Sequence, residues 1–365
     1  MPKVNENSEK NEFDESDQMD SIECDGISKS SKCSVYQRVD ITPSKIPDKK
    51  ITKEYKLTTN GRYKTEKDVF DELGYNFGKK LGRGGFGVVY MVNTDDEQTF
   101  ACKTIELKHK YNRRKMLRFV KNELFILETI KHPNIIRLQH HFIINSTLYI
   151  FMEFASEGSL YDEVKKCWFG LSKELTRRYF QQIGLALRYI HSKGIAHRDL
   201  KLDNVLLVLD PKTGQKIAKL TDFGLSKIAF KKKEGLIKSS SYLGIRQYMA
   251  PEIVRLNVIN TENVYQQDVQ FNPFVADIWA LGVCLYQMLT NKIPFNYTNN
   301  QTMLENQEHR RYNIPKKIKD DKHLLDLIRQ LLEPDPIKRI SLVGAIFHPW
   351  VEGKIKLKEE IKRSN

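Results

Sequence analysis

The sequence has little that would place the chain in a membrane or outside the cell. No segment reaches the roughly 18 uncharged apolar residues that a membrane-spanning helix needs. The N-terminal region is acidic and Ser-rich rather than basic and then apolar, unlike a secretory signal. The five cysteines are odd in number and widely spaced, without paired metal-ligand spacing or a disulfide framework. We expect no membrane span and a reducing location inside the cell, in the cytoplasm, the nucleus or both.

The sequence also lacks internal repeats and a clustered basic patch. Its 60 Lys+Arg exceed its 46 Asp+Glu, which gives a net charge of +14 over 365 residues. A basic balance indicates nucleic acid only where the charge is clustered. The pattern therefore favours a solvated basic surface, and we do not expect nucleic acid as a partner.

Residues 1–70 are polar and carry no sustained hydrophobic period. A Lys-rich stretch from Lys45 to Lys67 follows an acid-rich one, formed by Glu6, Glu9, Glu12, Asp14, Glu15, Asp17, Asp20, Glu23 and Asp25. A segment with so few apolar residues buries too little surface to offset its chain entropy. We predict a disordered N-terminal tail over 1–70.

The remaining sequence changes from strand patterns to helix patterns. Short β-branched runs lie at Gly87 to Asn93, Thr99 to Ile105 and Thr147 to Phe154, with one charged helical stretch from Lys110 to Lys131. After Gly158 helical periods dominate, and the nearly all-apolar run from Phe274 to Leu289 is typical of a helix buried inside a lobe. The pattern predicts an α+β protein.

A glycine-rich motif, Gly82-Arg83-Gly84-Gly85-Phe86-Gly87, opens the strand region. Dinucleotide-binding folds share this spacing, but there the glycines open a helix. Here Val88 to Val92 continue as a strand, so we predict a hairpin over a ligand.

A lysine follows in an apolar strand, where a charge is costly without an anionic partner. This lysine, Lys103, ends the run Phe100-Ala101-Cys102-Lys103, and Glu123 lies on the next predicted helix. We expect the two side chains to form an ion pair. Read singly, Lys103 is an ordinary surface lysine and Glu123 an ordinary helix carboxylate.

Three further motifs give the sequence its family resemblance. They are His197-Arg198-Asp199-Leu200-Lys201-Leu202-Asp203-Asn204, Asp222-Phe223-Gly224 and Ala250-Pro251-Glu252. With the glycine-rich loop, the lysine and the glutamate, the set resembles the eukaryotic protein kinases. The resemblance implies a bilobal kinase domain over 71–353, with an antiparallel sheet and one main helix in 71–155, a mostly helical lobe in 156–353, and a short tail in 354–365.

The resemblance also implies the cofactors, ATP and Mg²⁺, and the roles of the site residues. Asp199 would accept the proton of the substrate hydroxyl, Lys201 would reach the transferred phosphoryl group, and Asn204 and Asp222 would hold metal ions. Lys103 and Glu123 would complete the catalytic set. The implied ATP-binding residues are Leu81, Gly82, Gly84, Gly87, Val89, Ala101, Lys103, Met152, Glu153, Ala155 and Leu206.

Other matches are interpreted as structural. The run from Asp277 to Gly282 resembles the start of the buried helix on which the catalytic loop is anchored, Arg339 would pair with Glu252, and His197 is interpreted as a core histidine.

The resemblance further implies protein substrates with Ser or Thr acceptors and the regulation of the site. Its finer features resemble the calcium/calmodulin-dependent kinase group, near the testis-specific serine kinases. Arg198 suggests an activation loop that is phosphorylated by an upstream kinase, with Ser241 as the candidate site.

Two features depart from the family pattern. Ile245 stands where a threonine usually ties the catalytic lysine and aspartate together, and the link from Arg255 to Phe274 is longer than usual, which suggests a surface insertion. The alternative to an active kinase is a pseudokinase scaffold that binds nucleotide or partners with little turnover. A kinase fold acting on a small metabolite is disfavoured by Ala250-Pro251-Glu252 and by His348-Pro349-Trp350.

Overall fold

The computed structural model describes residues 53–57, 63, 65–84, 87–107, 113–231, 235–236, 245–261 and 271–353. The candidate phosphosite Ser241 and the predicted tail at 354–365 lie outside these residues.

The N-terminal lobe is built on a six-stranded sheet. Its strands are β1 (Lys53–Tyr55), β2 (Tyr75–Gly84), β3 (Gly87–Thr94), β4 (Thr99–Glu106), β5 (Leu138–Ile144) and β6 (Thr147–Glu153), in the order β1-β5-β6-β4-β3-β2. β1 pairs with β5 in parallel, and the other neighbours are antiparallel. The strands predicted from the β-branched runs are β3, β4 and β6.

The first strand and a short helix correct the predicted tail. β1 lies on the edge of the sheet, and helix α1 (Glu66–Glu72) begins at Thr65, which forms a capping box with Asp68. Tyr55 and Phe70 are buried in one apolar cluster of the sheet. The described residues between 53 and 72 are therefore part of the lobe, because their few apolar side chains find partners on the sheet, whereas residues 1–52 lie outside the described residues.

The lobe's main helix is α2 (Arg113–Thr129), within the predicted stretch. The mostly helical lobe contains α3 (Leu160–Lys165), α4 (Lys173–Ser192), α5 (Pro251–Thr261), α6 (Pro273–Thr290), α7 (Asn300–Glu308), α8 (Lys316–Lys319), α9 (Lys322–Leu331), α10 (Leu342–Ile346) and α11 (Pro349–Glu352). Three short strand pairs accompany them, built from β7 (Ile195–Ala196), β8 (Val205–Leu209), β9 (Lys216–Leu220), β10 (Lys227–Ile228), β11 (Phe230–Lys231) and β12 (Gly235–Leu236). The α+β prediction is confirmed.

Helix α6 forms the centre of this lobe. Fifteen of its residues are buried, as the apolar run predicted. Its length and composition would suffice to cross a membrane, but 89% of that window is buried inside the protein. The expectation from the sequence concerned runs of uncharged residues only. The buried Asp277 lies within α6 and interrupts its uncharged run.

The long link before α6 is partly regular. Helix α5 continues through Thr261, so the first third of the predicted surface insertion is helical, and its buried Leu256 belongs to the core of the lobe. Residues 262–270 lie outside the described residues.

Candidate active site

A cleft of about 620 Å³ lies between the sheet and the helical lobe. Among its lining residues are the predicted catalytic residue Glu123 and most of the predicted nucleotide-binding and metal-binding positions, namely Leu81, Gly82, Val89, Ala101, Lys103, Met152, Glu153, Ala155, Asn204, Leu206 and Asp222. Strand register explains part of this convergence, because Val89 pairs with Lys103 and Ala101 pairs with Met152 across neighbouring strands. Gly87 does not line it.

The cleft also contains residues that the sequence analysis did not single out. Ile136 adds to the apolar wall, and Tyr161 and Asp162 come from the first turn of α3. The sequence contains a signal for this helix start, because Ser159 and Asp162 form a capping box at the N-terminus of α3. This cap fixes the orientation of the first turn of α3.

The predicted ion pair is formed and buried. Lys103 Nζ lies 2.7 Å from Glu123 Oε1 and 3.7 Å from Asp222 Oδ1. Burial lowers the pKa of Lys103, but the two carboxylates raise it above its usual range, so the amine keeps its charge. Burial raises the pKa of Glu123 against the opposing effect of Lys103, and its Oε2 has no hydrogen-bond partner among the described residues. The pair ties β4 to α2.

Asp222 presents a carboxylate to the cleft. Its backbone has φ 60°, a left-handed conformation that is strained for a non-glycine residue. Its side chain is 41% exposed, much more than that of Glu123 at 3%. Strain at a solvent-accessible carboxylate is typical of a functional position.

The candidate catalytic aspartate sits in a polar network. Asp199 Oδ2 accepts hydrogen bonds from Lys201 Nζ at 2.8 Å and from Asn204 Nδ2 at 2.9 Å. Asn204 Nδ2 also donates to the Asp199 carbonyl. Asp199 and Lys201 do not line the nucleotide cleft themselves. Asn204 connects this network to the cleft, because its side chain bonds to Asp199 and also lines the cleft.

The loop that carries Asp199 is fixed from below by α6. Asp277 Oδ2 accepts from the His197 backbone N–H and Oδ1 from that of Arg198, both at 2.8 Å, and Oδ2 also lies 2.8 Å from His191 Nε2. Burial raises the pKa of Asp277, but these partners lower it below its usual value. Arg198 has φ 68°. A buried carboxylate of α6 thus holds a strained loop.

Two other structural interpretations agree with the geometry. Arg339 makes two 2.8 Å bonds to the two carboxylate oxygens of Glu252. His197 is fully buried, lies 5.3 Å from the Phe223 ring and bonds through Nε2 to the Thr221 carbonyl. The first contact joins α5 to the segment before α10, and the second joins the catalytic loop to the segment that carries Phe223.

The segment that links the two lobes follows β6. Glu153 N–H donates to the Arg137 carbonyl at 2.9 Å, so a ligand contact from the Glu153 backbone has to come from its carbonyl. Its carboxylate bonds to Lys219 Nζ at 2.7 Å. The side chain therefore joins the linking segment to β9 of the helical lobe.

The departure at Ile245 lies close to the catalytic aspartate. Ile245 and Asp199 line the same small pocket, and Ile245 is 41% exposed. It supplies no side-chain hydroxyl. The contact between Lys201 and Asp199 is nevertheless direct at 2.8 Å. The loop geometry therefore does not require the missing threonine.

Comparison with known proteins identifies the family. A family model described as the protein kinase domain matches residues 75–351. The serine/threonine-protein kinase fhkD of Dictyostelium discoideum is 35% identical over 274 residues, which is 74% of this chain and 36% of that relative. CBL-interacting protein kinase 26 of Oryza sativa subsp. japonica is 33% identical over 270 residues, 73% of this chain and 50% of that relative.

A third relative agrees with the first two. CBL-interacting serine/threonine-protein kinase 16 of Arabidopsis thaliana is 30% identical over 291 residues, 77% of this chain and 57% of that relative. The chain thus spans 36% to 57% of the length of these relatives. Since the matched region covers most of the sequence, the chain belongs to the protein kinase family.

Proposed function

We propose that the chain is a protein serine/threonine kinase, which transfers the γ-phosphoryl group of ATP to Ser or Thr hydroxyls of protein substrates. One observation carries the proposal. The buried pair of Lys103 and Glu123, the exposed carboxylate of Asp222 and the Asp199 network converge at one cleft. Phosphoryl transfer needs positioned charges more than covalent chemistry, and these are the charges it needs.

The cleft suits ATP on both its apolar and its charged side. Val89, Ala101 and Leu206 offer apolar walls for a flat base. Lys103 offers a fixed cation for the phosphates, held in place by Glu123. The carboxylate of Asp222 and the amide of Asn204 are oxygen donors of the kind Mg²⁺ prefers, and they fit a metal ion that keeps several waters. Mg²⁺ would neutralise phosphate charge there.

The transfer step assigns a role to each side chain of the loop. The substrate hydroxyl oxygen forms a bond to the γ-phosphorus while the bond from that phosphorus to the bridging oxygen of ADP breaks. Asp199 accepts the hydroxyl proton, and Lys201 places positive charge beside the moving phosphoryl group. Asn204 holds the Asp199 carboxylate in its orientation.

We further propose control by phosphorylation of Ser241 by an upstream kinase. Support comes from two neighbouring cations. The pKa of Lys227 is lowered first by burial and then by the charge of Arg198, so a phosphate would relieve their repulsion. The segments Lys219 to Lys227 and His348-Pro349-Trp350 support placement near the calcium/calmodulin-dependent kinases. The relatives named above give no support for a testis-specific subgroup.

The test is phosphate transfer from labelled ATP with Mg²⁺ to a library of Ser, Thr and Tyr peptides. The Asp199→Asn variant removes the proton acceptor but keeps a similar shape, so we expect transfer to Ser or Thr to fall by about 10² to 10⁴-fold. Asp210→Asn alters a partly exposed loop carboxylate of the same lobe that does not line the cleft, so this matched control should keep full activity.

Two outcomes would contradict the proposal. Equal transfer by the wild type and Asp199→Asn would show that another group, or a contaminant, does the chemistry. No transfer by either, even after phosphorylation of Ser241, would identify a nucleotide-binding pseudokinase scaffold instead. For the regulatory proposal, Ser241→Ala should lack the activation that the upstream kinase gives the wild type.

A further inference from the structure

Two adjacent aromatic side chains stand out from the helical lobe. Trp168 is 85% exposed and Phe169 is 81% exposed, in the loop between α3 and α4. Single exposed apolar side chains are ordinary on a protein surface, whereas adjacent ones form a patch, and such patches mark interaction sites. Neither residue lines the candidate active site.

The backbone that carries this aromatic pair is fixed to the lobe. Leu171 N–H donates to the Met288 carbonyl at 2.7 Å, and Asn291 Nδ2 donates to the Cys167 carbonyl at 3.3 Å. Gly170 has φ +76°, and a Cβ there would lie 2.3 Å from the backbone of Leu289. The loop is therefore pressed against the end of α6. The exposure of the pair follows from this anchoring rather than from a loosely attached loop.

Lysines surround the pair. Lys317 of α8 donates to the Leu171 carbonyl at 2.5 Å, which brings the basic helix α8 against the loop. Residues 160–175 and 316–322 together contain seven lysines and five carboxylates. Three of those carboxylates are engaged within the fold, since Asp162 caps α3, Glu163 pairs with Lys216 and Asp321 pairs with Lys173. Two of the lysines are engaged as well, Lys166 with Glu163 and Lys173 with Asp321. The lysines exceed the carboxylates by two, so the surface around the pair carries a net positive charge.

We propose that this surface, the aromatic pair with the lysines of α3 and α8, binds an anionic lipid bilayer. Indole and phenyl rings favour the boundary between head groups and acyl chains, and neighbouring lysines gain from the negative surface potential of such membranes. The pair lies in a turn and its two side chains are 85% and 81% exposed. A lipid boundary takes up two exposed rings and the neighbouring positive charge together.

The first experiment is co-sedimentation of the full chain with vesicles of phosphatidylcholine, with and without phosphatidylserine. We expect binding that needs phosphatidylserine and weakens with salt. The double variant Trp168→Ser with Phe169→Ser should bind at least about tenfold more weakly. Ile337→Ser removes another exposed apolar side chain, 92% exposed, and should bind like the wild type.

The second experiment reads the insertion directly. The chain has three tryptophans, and Trp279 and Trp350 are buried at 0% and 2% exposure. A change of fluorescence in solution therefore reports mainly on Trp168. Phosphatidylserine vesicles should shift the emission to the blue and protect it from iodide, and Trp168→Phe should abolish the shift while retaining binding.

Three results would overturn the proposal. The first is no binding, or binding without a blue shift. The second is equal binding by the double variant, which would assign the affinity to another basic segment, such as Lys45 to Lys67. The third is self-association of the chain in ultracentrifugation that the double variant abolishes, without vesicle binding, which would make the pair a protein interface. Transfer to soluble peptides should not change in the double variant, so this test is independent of the proposed kinase activity.

Discussion

Single residues hold the candidate site in place by two different means, charge and lack of a side chain. Asp277 uses charge, because its buried carboxylate satisfies two backbone N–H groups of the catalytic loop. Gly87 acts by having no side chain, because a Cβ at this position would lie 2.1 Å from the Thr104 carbonyl oxygen of the facing strand. The glycine-rich motif thus combines a residue at the cleft, Gly82, with a residue that lets two strands approach.

The first prediction separates these two glycines. Gly87→Ala should lower the free energy of unfolding by about 2 kcal/mol or more, because β3 and β4 must move apart. Gly82→Ala meets no atom within 4 Å and should change it by less than about 0.5 kcal/mol. Urea unfolding of both variants measures the difference, and equal losses would contradict the assignment.

The second prediction concerns pH. The pKa of Asp277 in the folded state lies below its ordinary value of 3.8. Its ionised form therefore stabilises the fold above that pH, and this contribution is lost as the pH falls through the folded-state pKa. Asp277→Asn should cost about 3 kcal/mol at neutral pH. The gap between wild type and variant should narrow as the pH drops below 3.8.

The control for this prediction is Asp320→Asn, which alters an exposed carboxylate on the same lobe. Its unfolding free energy should match that of the wild type at neutral pH. A gap between Asp277→Asn and the wild type that stays constant down to acid pH would show that the carboxylate charge is not what holds the loop.

At the scale of elements, β1 and α1 extend the sheet, although the polar composition of their segment predicted a disordered tail. β1 covers the β5 edge, and α1 places Phe70 against Phe77, Phe142 and Tyr149 with ring centroids 4.6 to 6.4 Å apart. Tyr55 packs edge-on against Phe142 at 5.5 Å. Pairing an open edge removes a row of unpaired backbone groups. The segment therefore contributes to the stability of the lobe.

The third prediction tests this contribution. Phe70→Ala should lower the free energy of unfolding by about 3 kcal/mol, because it removes a buried ring from an aromatic cluster, and Tyr55→Ala should lower it by a similar amount. Lys56→Ala, an exposed neighbour, should stay within about 0.5 kcal/mol of the wild type. Wild-type stability in Phe70→Ala would show that the segment does not pack on the sheet in solution.

At the scale of the whole molecule, the site exists only where the two lobes meet. Lys103 and Glu123 come from the sheet lobe, whereas Asn204 and Asp222 come from the helical lobe. The β-bridge from Ile135 to Leu220 links the sheet lobe to the helical lobe directly. A ligand that contacts both lobes should therefore stabilise the whole chain.

The fourth prediction follows from this arrangement and depends on the proposed function. ATP with Mg²⁺ at a hundredfold excess over its Kd should add about 2.7 kcal/mol to the free energy of unfolding. Lys103→Met should lose most of this increment. A chelator that removes Mg²⁺ should lower the increment of the wild type, and Asp222→Asn should lose the same amount without the chelator. Lys338→Met, at an exposed lysine, is the control. A full increment in Lys103→Met would exclude this cleft as the nucleotide site.

The sequence by itself determined the class of fold, the order of strands and helices near the motifs, and the chemistry of the cleft. Local periodicity and the fixed spacing of loop residues sufficed for β3, β4, α2 and α6, and for the pairing of Lys103 with Glu123. These features depend on neighbours close in the sequence or on a motif set that occurs together.

Tertiary structure alone decided the rest, because the deciding contacts join distant segments. The residues around β1 and α1 are polar on average, and only packing on the sheet shows that Tyr55 and Phe70 are enough to fix them. Lysines of α3 and α8 lie some 150 positions apart in the sequence and meet at one loop. In the sequence these lysines are part of a dispersed positive charge. In the fold they lie on the segments that flank Trp168 and Phe169, because both segments are bonded to the end of α6.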